Sequence, residues 1–241
     1  MRNFELISFA SADELAQAAA KAWLDEIESA SRAGKSHCVA LSGGRIAQIF
    51  FTSTVEQAKA RKISFASVHF FWADERCVPP TDKESNFHLA NGLLFVPLKI
   101  SEGRVHRIRG EDSPENAMKT AESELRRIVP PNKNGQPVLD LIFLGMGEDG
   151  HVASLFPNTP VEIVNSTKPF LAVENSPKPP SQRISMSYAV IAAAKNIWVL
   201  VSGTGKEAAL RESLAQNGHT PLAQVIRSRS HTKIFADFQP G

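Results

Sequence analysis

The residues best suited to chemistry lie in the stretch LIFLGMGEDGHVASLFP, positions 141 to 157. His151 stands a few positions beyond an apolar run, with Asp149 two residues earlier across Gly150. A carboxylate at that spacing can orient an imidazole or raise its basicity, which a general base acting near neutral pH requires. The same letters, Gly145 to Gly150, also fit the glycine pattern of a dinucleotide loop. That pattern needs a helix starting inside it, so that the pyrophosphate rests on the helix N-terminus. Pro157 and Pro160 leave such a helix no room, since proline in a helix interior costs about 3 kcal/mol. Glu174 follows at a strand end, where a cofactor loop would want an acid. A plain turn, with His151 incidental to it, is the remaining alternative.

Three further loops carry charge or glycine. Ser42-Gly43-Gly44 lies between an apolar run and a helical pattern, where free amides and the positive helix end suit an anion; a tight structural turn fits equally well. Arg45 follows directly, either to clamp a phosphate or to face solvent. Asp74-Glu75-Arg76 emerges from a bulky apolar run, either as part of a cleft or as a salt-bridged surface turn. VSGTGKE, at positions 201 to 207, invites a P-loop reading, but Leu200 and Glu207 occupy places that need glycine and Ser or Thr. Lys206 still suits a phosphate-binding cation at a helix start. Arg183, after the proline-rich NSPKPPSQ, either points into the same cleft or flanks it.

The elements that must position these residues alternate in type. A capping-box pattern at Ser11 to Glu14 opens a helix ending near Gly34. SHCVALSGG and RIAQIFFTSTVEQAKA read as strand, turn and helix, and Ser67–Ala73 as the next strand. Helices are expected over Asn86–Val96, from Ser113 to Val129 and over Lys206–Ala215. Strands are expected at Val138–Leu144, Phe170–Glu174, Arg183–Met186, Ile197–Val201 and Thr232–Ala236. Continuous apolar strands alternating with helices argue for an α/β fold with a mostly parallel sheet covered on both faces. Ligands bind such sheets beyond the carboxyl ends of the strands, which is where all four loops fall. With no linker or repeat, the chain reads as one domain spanning 1–241.

Composition narrows the classes. A formal net charge of +2 does not point to a large polybasic surface unless the charges are strongly segregated, so nucleic acid is not the expected partner, and no membrane is expected either. The seven histidines and two cysteines show no metal-ligand spacing, and no metal is expected. Cys38 and Cys77 read as free thiols, Cys77 standing beside Arg76, a neighbour that could activate it. No segment has the apolar length of a signal peptide or membrane span, so the expected location is the cytoplasm.

Taken together, the loops resemble the 6-phosphogluconolactonase family. The shared pieces are S-G-G at Ser42, W-A-D-E-R with V-P-P and the pair Ser85-Asn86, G-M-G-E-D-G-H through Pro157, the strand led by Arg183, and S-G-x-x-K at Lys206. The resemblance implies a Rossmann-like three-layer sandwich of the glucosamine-6-phosphate deaminase type. It also implies hydrolysis of 6-phospho-D-glucono-1,5-lactone in the oxidative pentose phosphate pathway, by a monomer or weak homo-oligomer without cofactor or metal. By position, His151 would be the base and Asp149 its partner. Asp74 and Arg76 would line the reacting end, and Ser42, Gly43, Gly44, Arg45, Arg183 and Lys206 would hold the phosphate and hydroxyls. One departure stands out: the family usually reads S-G-G-S-T-P, whereas this chain has Arg45-Ile46-Ala47 after the glycines.

Two rivals remain. Amino-sugar-phosphate deaminase-isomerases of the same superfamily carry a glutamate five residues after the histidine and an aromatic residue at the arginine; here those positions are Phe156 and Arg76. A sugar-phosphate-binding regulator without catalysis would explain the altered glycine loop, but the presence of His151, Asp74 and Arg76 counts against it.

Overall fold

The computed structural model describes residues 3–239. Its first part runs β1 (Phe4–Ser8), α1 (Ala12–Arg32), β2 (His37–Leu41), α2 (Arg45–Arg61), β3 (Val68–Trp72) and a short β4 (Asp74–Arg76). Next come α3 (Asn86–Ala90), a π-helical turn (Asn91–Phe95), α4 (Val96–Leu98) and α5 (Pro114–Ile128). The remainder is β5 (Leu141–Gly145), α6 (Val161–Val164), β6 (Phe170–Val173), β7 (Arg183–Met186), α7 (Tyr188–Ala193), β8 (Asn196–Val201), α8 (Glu207–Leu214), α9 (Pro221–Arg227) and β9 (Thr232–Ala236).

Six strands form a wholly parallel sheet in the order β1-β9-β8-β5-β2-β3. Its inner strands are buried along their length, as HCVAL on β2 and NIWVLV on β8 require, and helices cover both faces. On one face α1 and α2 pack together, with Trp23 at their centre; its ring lies 5.6 Å from Phe50 on α2 and 5.2 Å from Phe143 on β5. The Trp23 indole N–H donates to the buried His37 ring at 3.2 Å, so the one polar atom of this large side chain is satisfied. α1 starts as its capping box requires, with the Ser11 hydroxyl accepting from the Glu14 amide.

The second sheet corrects the sequence reading. β6 and β7 do not join the parallel sheet; they pair antiparallel with each other and with β4, in the order β4-β7-β6. Asp74-Glu75-Arg76, expected in a loop, is therefore a strand, in register with Arg183 to Ser185. Three charges in a row carry no strand pattern. They are tolerated here because the buried carboxylates are hydrogen-bonded: Glu75 accepts from the Asn86 and Phe87 amides at 2.8 Å each and from the Ser85 hydroxyl at 3.0 Å. The helix expected over Asn86–Val96 is interrupted by the π-helical turn. The strand expected from Val138 begins at Leu141, because the Asp140 side chain takes the Cys38 amide at 2.7 Å. No expectation covered β1, α7 or α9. No helix among the described residues is long and apolar enough to cross a membrane.

Candidate active site

Along the chain, the parallel sheet grows outward in both directions from β2 and β5: β2 leads to β3 on one side, β5 to β8 on the other. The connections beyond their carboxyl ends diverge there and leave a crevice, the expected ligand position in an open α/β sheet. One pocket fills that crevice. Of the ten residues singled out from the sequence, all but Asp149 line it.

The histidine loop is shaped by its glycines. Gly150 has φ +77 and lies against Thr220, and a Cβ at Gly147 would sit 2.1 Å from the His151 ring. Gly147 donates to the His151 carbonyl at 2.9 Å and Gly150 to the Gly147 carbonyl at 3.0 Å, closing a tight turn. No helix follows. Single bridges link Val152 to Met146 and to Leu155, and the next helix is the four-residue α6. The dinucleotide pattern is thus a coincidence of letters.

Asp149, set behind the pocket wall, holds the imidazole: its Oδ1 lies 2.5 Å from His151 Nδ1 and accepts the His151 amide at 3.2 Å. A carboxylate can only accept here, so Nδ1 carries the proton and Nε2 keeps a lone pair. Burial pushes the His151 pKa below the usual histidine value, more than Asp149 and Asp74 raise it. Burial would raise Asp149, but the His151 hydrogen bond and charge outweigh it and hold the carboxyl low. Near neutral pH the pair is a neutral imidazole beside a carboxylate.

Arg76 and Asp74 come from β4. Asp74 is fixed at both oxygens, accepting from Ser154 Oγ at 2.7 Å and from Asn86 Nδ2 at 3.2 Å. Arg76 donates to the Glu84 carbonyl at 2.5 Å, but its buried Nε has no partner. An unsatisfied buried donor is costly unless a ligand completes it, and this one belongs to a pocket-lining residue.

Two of the expected contacts also have protein partners. The Ser42 hydroxyl donates to the Phe143 carbonyl at 2.8 Å, tying the end of β2 to β5. Arg183 is buried, and its guanidinium donates to the carbonyls of Lys178, Pro179 and Pro180 at 2.9, 3.2 and 3.1 Å. It also lies 5.6 Å over the Phe156 ring, which packs 4.7 Å from His151. Arg183 therefore braces the loop before β7 and the wall behind the histidine.

Arg45 and Lys206, 161 residues apart in the sequence, do converge. α2 begins at Gly44 with no side-chain cap, leaving its first amides open, and Arg45 reaches Gly203 in the 202–206 loop. Burial first, then the charge of Arg45, pushes the Lys206 ammonium below the usual lysine range. That mutual repulsion is what a bound dianion would relieve.

Sequence reasoning missed the role of Glu75 and assigned none to Ser154, whose partner lies 80 residues away. Asn86 was noticed only as half of the Ser-Asn pair. It spans Asp74 and the glycine loop so tightly that a Cβ at Gly43 would meet its Oδ1 at 1.9 Å. Burial and the Glu75 charge push the Cys77 thiol up, against the activation its neighbour Arg76 could have given.

Comparison with known proteins is decisive for the family. The family described as glucosamine-6-phosphate isomerases/6-phosphogluconolactonase matches residues 10–235. The chain belongs to it. Within that family, the curated 6-phosphogluconolactonase of Haemophilus influenzae is 37% identical over 203 residues, covering 83% of this chain and 84% of the relative. A solved structure described as the devB protein superposes with a TM-score of 0.86 at 31% identity, covering 97% of this chain and 96% of the other. The 6-phosphogluconolactonase of Thermotoga maritima superposes at 0.81 with 27% identity, over 97% and 98% of the two chains.

Proposed function

We propose that this chain hydrolyses 6-phospho-D-glucono-1,5-lactone to 6-phospho-D-gluconate. The observation that carries the reading is the neutral His151, held by Asp149, in a pocket that Arg76 also lines. The curated relatives named for this reaction support it.

In this mechanism the phosphate lies against the Gly43 and Gly44 backbone, Arg45 and Lys206, which sets the lactone carbonyl toward His151. His151 Nε2 takes a proton from a water as its oxygen bonds to the carbonyl carbon. Negative charge forms on the former carbonyl oxygen, where the Arg76 guanidinium stabilises it. As the ring C–O bond breaks, the imidazolium returns its proton to the departing ring oxygen, leaving a hydroxyl and an acid that ionises in water. Asp149 keeps the tautomer correct and steadies the imidazolium in between. A strained ester needs no more than an oriented water, a base and an oxyanion partner.

The test generates the lactone in place with glucose-6-phosphate dehydrogenase and follows its loss above the spontaneous rate. Wild type should accelerate it, and His151→Ala should lose on the order of 10²-fold or more in kcat. No acceleration by wild type sinks the lactonase reading, whereas full activity in the variant removes only the role given to His151.

A further inference from the structure

We propose that Asp237, the first residue beyond the last strand, is a positioning residue for the phosphate: its carboxylate fixes the 202–206 loop and so places Lys206. The inference rests on the reading that the phosphate lies between Arg45 and Lys206.

The geometry is direct. β8 and β9 pair with Val201 opposite Ala236, so the next residues, Ser202 and Asp237, leave the sheet side by side. The Ser202 hydroxyl donates to Asp237 Oδ2 at 2.7 Å, and the Gly203 amide donates to both carboxylate oxygens, at 3.2 and 3.3 Å. The Asp237 amide in turn donates to the Val201 carbonyl at 3.3 Å. The loop needs such an anchor. Gly203 and Gly205 have φ of +99 and +85, conformations that glycine permits without defending them against alternatives.

Charge points the same way. Four groups face the Lys206 ammonium: Arg45 and Lys178 oppose its proton, Asp237 and Glu148 favour it. Asp237 alone among these also holds the loop through hydrogen bonds, so one carboxylate sets both where Lys206 stands and how readily it stays charged.

A charge-only view and an anchoring view predict opposite signs. If Asp237 were merely an anion near the phosphate, neutralising it would tighten anion binding. Anchoring predicts the reverse. Asp237→Asn should weaken calorimetric binding of 6-phospho-D-gluconate by about five- to tenfold at pH 7, as loss of charged hydrogen bonds implies. The loss should grow at pH 9, where Lys206 gives up its proton more readily without Asp237. KM should rise in step while kcat stays within about twofold, because His151 is untouched. Asp237→Glu, which keeps the charge, should recover part of the affinity, and Ser202→Ala should show a smaller loss.

Unchanged or tighter binding in Asp237→Asn overturns the proposal. So does a fall in kcat that tracks a fall in melting temperature in both Asp237→Asn and Ser202→Ala, which marks a purely structural residue. Lys206→Ala separates the layers: if it binds the product like wild type, the phosphate placement itself is wrong. If it binds weakly while Asp237→Asn binds normally, only the anchoring role fails.

Discussion

In its proposed role as base, His151 acts only while its proton stays on Nδ1, and a single carboxylate oxygen 2.5 Å away keeps it there. Asp149→Asn replaces that acceptor with a group able to present N–H instead, so a fraction of the imidazole adopts the wrong tautomer. We expect kcat to fall on the order of 10²-fold with KM little changed, read in the coupled lactone assay. The pH dependence has a definite sign. Asp149 raises the His151 pKa against the lowering by burial, so removing its charge moves the acidic limb of kcat to lower pH. A limb that moves to higher pH would show that Asp149 acts otherwise. This pair was legible in the sequence because its spacing is local. Asp74's environment was not: its carboxylate is held by Asn86 and Ser154, 12 and 80 residues away, and no short window of sequence contains such partners.

Among the elements, α2 departs from the family's pattern at its start. The family's usual serine and threonine after the glycines are absent, and the first turn has no side-chain cap. Arg45 reaches Gly203 in the 202–206 loop instead, and we propose that it brings charge in place of hydrogen-bonding hydroxyls. Arg45→Ala should therefore raise KM several-fold at unchanged kcat, and identical kinetics would return Arg45 to the solvent. Elements with a strong period were legible. α1 was framed by its cap and its apolar stripe, and β9 falls at the expected residues. β4 was not, because Asp-Glu-Arg has neither alternation nor apolar run; its strand character comes from pairing with β7, a tertiary effect. The half-exposed edge strand β1 and the short helices α7 and α9 likewise take their shape from neighbours.

For the molecule as a whole, alternation of strand and helix revealed the parallel sheet, while the separate antiparallel sheet stayed hidden because strand pairing is non-local. Stability also carries a pH signature away from the pocket. Glu26 on α1 is half-buried, and burial raises its pKa from 4.5 to about 7. The unfolded chain ionises this group near 4.5 and the folded chain near 7, so between those values the folded state binds more protons and stability falls as pH rises. Glu26→Gln removes the cost of the buried charge. Relative to its effect at pH 4.5, it should stabilise the protein further by about 1 kcal/mol at pH 8, after allowing for solvent screening. Melting curves of variant and wild type at the two pH values check this; an equal gain at both would point to packing instead.

The sheet order also sets a schedule. β1 has one hydrogen-bonded neighbour, β9, which follows every other strand in the chain. On a ribosome β1 must wait for β9, while β2, β3, β5 and β8 can already assemble behind it. Asp237 arrives with β9, so under the anchoring proposal the loop carrying Lys206 meets its anchor only after the rest of the parallel sheet has been made. A nascent chain can hold a folded centre and a placed histidine before β9 brings the residue proposed to secure the phosphate end of the pocket.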